Sequence, residues 1–276
     1  MMTSPLCDLV SLTAMIPDGA KLAVPSDNTG VAMAAARELV RRGVRGLHLV
    51  CVPTGGLQTD IMIGAGLVDT VETSAVTLGE FGSAPRFAAA LQGKRVRVID
   101  ATCPAIYAAL QAAQKGIPFM PLRGLIGTDV LANHPDWTVI DNPFQAGDPI
   151  VLLSAIQPDV ALFHAPLADR DGNVFIGRWR ELLTLAQAAR RTLVTVEQVT
   201  ERDLMDDPDR SPGVIPALYI TAIAQARHGA WPVRFGDYCP TDQEAVARYA
   251  AAARTEAGFG DWLHEWLGSQ PVEVLA

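Results

Sequence analysis

The chain has 276 residues, 49% of them hydrophobic and 19% charged, with a formal net charge of −8. That is enough apolar material for a substantial core, and it excludes disorder, which needs low hydrophobicity with high net charge. The acidic balance, with no basic cluster beyond Arg41-Arg42 and Arg190-Arg191, argues against nucleic acid as a partner.

Taken in chain order, the sequence alternates strands and helices. Ala20 to Pro25 reads as a short strand, and Ser26-Asp27-Asn28-Thr29-Gly30 as a turn rich in capping side chains. Val31 to Arg42 is a predicted helix ended by Gly43. Leu47 to Val52 is nearly all apolar, as a strand buried on both faces requires. Pro53-Thr54-Gly55-Gly56 breaks it, and Leu57 to Ala65 is helical. Val68 to Val76 is the third strand. A helix over 83–92, a strand over 95–99 and an Ala-rich helix from Pro104 to Lys115 follow, and Ile117 to Pro121 leads into a loop. Trp137 to Ile140, Val160 to His164 and Asn173 to Ile176 are further short strands. Glu181 to Arg190 is a helix and Leu193 to Val199 a strand. The acidic, Pro-containing Asp203 to Ser211 is a solvated loop, and Ala217 to Arg227 is helical. The last helices cover roughly 242–256 and 259–267, with Trp262 and Trp266 four residues apart on one face.

This alternation predicts an α/β fold, an open and largely parallel sheet with helices on both faces. No repeat or composition shift marks a boundary, so residues 1–276 are expected to form a single domain with a helical tail at about 242–267. Cys7, Cys51, Cys103 and Cys239 lack metal spacing and are expected to be reduced and structural. No basic-then-apolar leader and no long apolar run appears, which reads as a cytoplasmic protein that neither crosses nor binds a membrane.

In open α/β sheets, ligands bind beyond the carboxyl ends of the strands. Three predicted turns fall there: Ser26 to Gly30, Pro53 to Thr59 and Gly79 to Ser83. Each combines glycine, which lets backbone approach a ligand, with hydroxyl or amide groups, and helix-start N–H groups favour a carboxylate. Any one of them alone is also explained as an ordinary turn. The candidate substrate-binding residues are Ser26, Asn28, Gly55, Gly56, Gln58, Ser74, Glu80, Phe81, Gly82 and Ser83. Glu80 is either a working carboxylate or a helix-start acid favoured by the dipole. Glu72, mid-strand, reads as a structural hydrogen-bond partner. His164 precedes Asp169-Arg170-Asp171-Gly172-Asn173, which reads as a structural hairpin turn. No GxGxxG, P-loop, GxSxG or paired-histidine motif is present, so no nucleotide, serine-hydrolase or metal site is expected.

Five segments carry a resemblance: Arg37 to Gly43, Asp60 to Gly66, Gly79 to Phe87, Ile117 to Gly124, and Pro158 to Ala165, which continues through Ala168 to Val174. In order and spacing they resemble the α chain of family I CoA-transferases, of the glutaconate CoA-transferase type, over about residues 17–255. The resemblance implies the NagB/RpiA-like fold of that family. It also implies a CoA-transferase that moves CoA between an acyl-CoA and a carboxylic acid, possibly a dicarboxylic one, through a glutamyl-CoA thioester. In two-chain members the nucleophilic glutamate lies on a β subunit. This chain lacks a Ser-Glu-Asn-Gly motif, so no catalytic residue is expected here, with Glu80 as the fallback. A β-subunit partner, in an α2β2 or larger hetero-oligomer, and a CoA thioester as substrate rather than bound cofactor are implied. Phe81 stands where the 3-oxoacid branch has Asn, which favours the glutaconate-like branch. Two alternatives stay open: a component of an acyl-CoA or C–C-cleaving CoA-ester hydrolase, and a non-catalytic ligand-binding module.

Overall fold

The computed structural model describes residues 5–268. The chain opens with β1 (Leu6–Cys7), α1 (Leu9–Ala14), β2 (Lys21–Pro25), α2 (Met33–Arg42), β3 (Leu47–Val52), α3 (Leu57–Gly64) and β4 (Val68–Thr73). Next come α4 (Pro85–Gln92), β5 (Arg97–Asp100), α5 (Cys103–Gln114), β6 (Phe119–Leu122), α6 (Asp129–Ala132), β7 (Thr138–Asp141) and β8 (Pro149–Ser154). The remainder is β9 (Val160–Asp169), β10 (Val174–Phe175), α7 (Arg180–Ala188), β11 (Arg191–Thr200), β12 (Val214–Ile215), β13 (Ala222–Gln225), α8 (Gln243–Ala252) and α9 (Glu256–Gly268).

The main sheet has the order β1-β13-β11-β9-β2-β3-β4-β5, with every neighbouring pair on this path parallel. From β2 the chain builds outward through β3, β4 and β5. From β9 it builds the other way through β11 and β13. The direction of winding therefore reverses between β2 and β9, which is where such sheets open a crevice. The alternation of side chains explains the two helical layers. Leu22, Val24, Leu49 and Cys51 face α1, α2, α3 and α4 through Leu12, Leu39, Met62 and Ala90. Their sequence neighbours Ala23, Val50 and Val52 point the other way, onto α5 and α7 through Ile106, Leu110, Leu182 and Leu185.

Two parts of the fold depart from the sequence-based expectation. Residues 117–156 were expected to contribute one strand; they form a three-stranded antiparallel sheet, ordered β6-β8-β7. Its inner face, Met120, Leu122, Val151 and Leu153, rests on Ala105 and Ala108 of α5. Its outer side leaves Phe119 and Ile140 exposed, and Phe144 in the following loop is 95% exposed. The expected helix over Ala217 to Arg227 is instead a 3-10 turn at Ala217–Tyr219 followed by β13. Ala222, Ile223 and Ala224 are all buried, because β13 lies between β1 and β11 with both faces covered. A short, wholly apolar run has no period that separates strand from helix.

The C-terminal helices are pinned rather than loosely attached. Trp262 and Trp266 stack with ring centroids 5.4 Å apart. Tyr249, fully buried, donates its hydroxyl to Asp60 Oδ2 at 2.6 Å. Asp60 in turn accepts the backbone N–H of Phe87 at 2.7 Å and that of Arg86 at 3.3 Å, capping the start of α4. Arg86 pairs with Glu256 at 2.6 Å. Helices α3, α4 and α8 are thereby joined through one buried carboxyl, and Arg86 ties α9 to α4. Burial, offset by these hydrogen bonds, pushes that carboxyl above its usual range.

Candidate functional site

Beyond the carboxyl ends of β2, β3 and β4 lies a half-open cavity of about 370 Å³. The three turns singled out from sequence all reach it. Ser26, Asp27 and Asn28 come from the turn after β2; Thr54, Gly55, Gly56 and Leu57 from the break after β3; Thr77 to Phe81 from the loop after β4. The far wall is Val233, Thr241 and Val246, from the loop before α8 and from α8 itself.

Of the residues expected from sequence, Ser26, Asn28, Gly55, Gly56, Glu80 and Phe81 line this cavity. The others lie around it. Gln58 is buried beneath, its amide donating to the Ala32 carbonyl at 3.3 Å. Ser74 is turned toward α5, with its hydroxyl on the Pro53 carbonyl at 2.9 Å and Cys103 Sγ 3.1 Å away. Gly82 and Ser83 hold the loop: the Gly82 carbonyl accepts from Leu78 N–H at 2.9 Å, and Ser83 bridges Thr77. Gly82 sits at φ +97°, a conformation glycine adopts without strain.

Asp27 organises the floor, and sequence reasoning passed over it. Its Oδ2 accepts the backbone N–H of Leu57, the first residue of α3, at 2.8 Å. Its Oδ1 is buried and has no hydrogen-bond partner among the described residues. Burial pushes this carboxyl up to about 6, against the backbone N–H groups of Leu57 and Gln58, which favour the charged form. Gly56 is required beneath it, since a Cβ there would lie 2.1 Å from Asp27 Oδ2. The helix start expected to offer free N–H groups is thus already occupied by the protein's own acid. Ser26 is likewise committed: its hydroxyl lies 3.2 Å from the carbonyls of Val52 and Thr54 and 2.9 Å from Thr54 Oγ1. Glu80 projects from the 3-10 turn Gly79–Phe81, is exposed, and accepts from Gln243 Nε2 of α8 at 3.0 Å.

The remaining candidates have structural partners. Glu72 lies between Lys21 Nζ and His48 Nε2, each at 3.0 Å. Burial pushes its carboxyl up, but the hydrogen bond from His48 and the charge of Lys21 outweigh this and hold it below the usual range. His164 is fully buried on β9, 2.8 Å from both Thr195 Oγ1 and Glu197 Oε1. Its backbone N–H donates to the Gly30 carbonyl at 2.6 Å, tying the turn after β2 down onto β9. Asp169 to Asn173 is the expected hairpin turn, joining β9 to antiparallel β10. All four cysteines are free: Cys51 is buried, with burial pushing its thiol up to about 11, whereas Cys103 is exposed. No cluster of His, Cys, Asp or Glu able to hold a metal occurs among the described residues. No described helix is long and apolar enough to cross a membrane.

A wound parallel sheet with an acid- and hydroxyl-lined cavity at its switch end agrees with the comparison to known families. The profile of the coenzyme A transferase family matches residues 9–226, and the chain belongs to that family. Within it the similarity runs to the α-type chains of two-subunit enzymes. The chain is 28% identical over 253 residues to the A subunit of glutaconate CoA-transferase from Acidaminococcus fermentans, covering 85% of this chain and 78% of that one. It is 28% identical over 258 residues to the A subunit of 3-oxoadipate CoA-transferase from Pseudomonas knackmussii, covering 91% and 89%. A solved chain of the Acidaminococcus enzyme superimposes with a TM-score of 0.86 at 25% identity, covering 96% of this chain and 89% of that one. An uncharacterised protein of Archaeoglobus fulgidus is 32% identical over 242 residues, 86% of this chain. The chain spans about half of that relative's length, 53%. The two named transferase relatives are equally similar, so overall identity does not separate a glutaconate-like from a 3-oxoacid branch.

Proposed function

We propose that this chain acts, as one α-subunit domain, in a two-chain cytoplasmic CoA-transferase. It cradles the acid that exchanges CoA with an acyl-CoA. The observation that carries this reading is the content of the cavity. It gathers the turns that follow β2, β3 and β4, and its exposed carboxylate, Glu80, is engaged by Gln243 of α8. Such a cavity positions a substrate and leaves the covalent step to a partner's glutamate. There the carboxylate attacks the thioester carbonyl and CoA leaves as thiolate. The thiolate then attacks the glutamyl carbonyl of the resulting anhydride, releasing the acid and leaving a glutamyl-CoA thioester. A second acid reverses these steps. The CoA thioester is substrate, and no resident cofactor or metal enters the reaction.

In this reading Ser26, Asn28, Gly55, Gly56, Glu80 and Phe81 contact the acid, while Gln58, Ser74, Gly82 and Ser83 support their turns. The test is to incubate the two-chain complex with acyl-CoA, reduce with borohydride and locate the modified residue by mass spectrometry. The adduct is expected on the partner's glutamate and persists, with slower turnover, in Glu80→Gln. A modified Glu80 would place the nucleophile on this chain. Release of free acid with no adduct on either chain would favour a hydrolase.

A further inference from the structure

The charges around the cavity point to a substrate class. Two of its lining residues are acids, Asp27 and Glu80, and none is Lys, Arg or His. Neither acid has an ion-pair partner among the described residues: Glu80 accepts a neutral amide, and Asp27 accepts backbone N–H. Helix starts facing such a crevice are the usual seats for a substrate carboxylate. Here the start of α3 is filled by Asp27 and the start of α4 by Asp60. The rest of the lining is uncharged, with Leu78, Phe81, Val233 and Val246 beside the hydroxyls of Thr54 and Thr241.

We infer that this chain selects acids whose tail, beyond the reacting carboxyl, carries no charge, and disfavours dicarboxylic acids. The inference rests on the proposed transferase reading for the direction in which the acid enters the cavity. The physical ground is like-charge repulsion. A distal carboxylate placed in this cavity meets two carboxyl groups in a partly enclosed cleft, where charges interact more strongly than in bulk water. Among the described residues of this chain, the lining offers it no cation, and the starts of α3 and α4 are already filled. Because burial raises Asp27 to about 6, a second negative charge beside its half-paired carboxyl favours taking up a proton there. Binding of a dicarboxylate should therefore improve as the pH falls toward 6, while binding of a neutral-tailed acid stays level.

The experiment uses the two-chain complex and a length-matched pair, pentanoate and glutarate. Two readouts are taken: kcat/KM for transfer from one acyl-CoA donor, and calorimetric binding of each acid without donor. Pentanoate is expected to be favoured by about tenfold or more in both, the scale that one nearby like charge imposes. Glu80→Gln should raise the ratio of glutarate to pentanoate binding by about tenfold, the scale of one like charge removed. Asp27→Asn, which keeps an oxygen for Leu57 N–H, should remove the pH dependence of glutarate binding. Equal or better binding of glutarate by the unaltered complex, or equal effects of Glu80→Gln on both acids, would overturn the inference. If no glutamyl-CoA adduct forms on the partner chain, the transferase reading fails, and the binding measurements still decide the selectivity.

Discussion

Replacing Gly56 by alanine should damage the cavity floor through one identifiable contact. The added Cβ would lie 2.1 to 2.3 Å from the three carboxyl atoms of Asp27, so the side chain must move. Moving it breaks the 2.8 Å bond to Leu57 N–H and uncaps α3. Losing a capping bond costs about 0.5–2 kcal/mol, and forcing a methyl into a packed site costs about 1–3 kcal/mol. Together these give about 1.5–5 kcal/mol. For a chain of 276 residues, unfolding entropy of about 2.1 cal/mol/K per residue converts this to a fall in Tm of about 3–9 °C. The assay is thermal unfolding of Gly56→Ala, Asp27→Ala and the double variant. If the carboxyl is the obstacle, Gly56→Ala costs less than about 1 kcal/mol once Asp27 is alanine, and the cycle shows strong coupling. The same cost in both backgrounds would refute the contact as the cause.

Three further outcomes are expected. Asp27 has a folded-state pKa of about 6, against 3.8 for the free side chain. Its contribution to stability is therefore fully present below about pH 4 and lost as pH rises through 6. The loss reaches about 3 kcal/mol at 1.36 kcal/mol per unit. Asp27→Asn should flatten denaturant-measured stability over that window, and an unchanged pH profile would contradict the burial argument. Tyr249→Phe removes a buried hydroxyl bonded to Asp60 and should cost about 1.5–3 kcal/mol, because the acceptor is a charged-group oxygen with few other donors. A loss below 0.5 kcal/mol, on the order of an ordinary surface change, would show that the C-terminal helices are not held this way. Cys103 is exposed and Cys51 buried, so iodoacetamide should label Cys103 in the native protein and spare Cys51, as peptide mapping would report. Replacing Cys103 by alanine should leave CoA transfer in the assembled enzyme within a few-fold, since removal of a catalytic group costs about 100-fold or more.

The parallel sheet was legible because its strands announce themselves. Leu47 to Val52 is nearly all apolar, Leu193 to Val199 is rich in β-branched residues, and Gly43 stops α2 where a left-handed residue is needed, at φ +65°. Antiparallel pairing over 117–156 was not legible. Pro121, Pro149 and exposed Thr138 and Asp141 give no clean alternation, and what holds β8 is α5, more than thirty residues earlier in sequence. Near the cavity, the three turns carried local signals in glycine and hydroxyl residues. Asp27 lay inside a quoted turn, but its role depends on Gly56, across the strand gap. Val233, Thr241 and Val246 had no signal at all, because a wall made of ordinary valines and a threonine is defined only by what faces it.

That far wall has a consequence for how the protein is made. On the ribosome the three turns emerge early, and the last strand of the main sheet, Ala222–Gln225, completes the ladder before the loop carrying Val233 has been added. Glu80 waits 163 residues for the glutamine that holds it, and Asp60 waits 189 for the tyrosine that satisfies it. A chain cut short after that last strand would own every strand of the sheet and an open trough where the cavity belongs. Closure of the cavity therefore comes after completion of the sheet, and the presence of the sheet, by any spectroscopic measure, does not certify it.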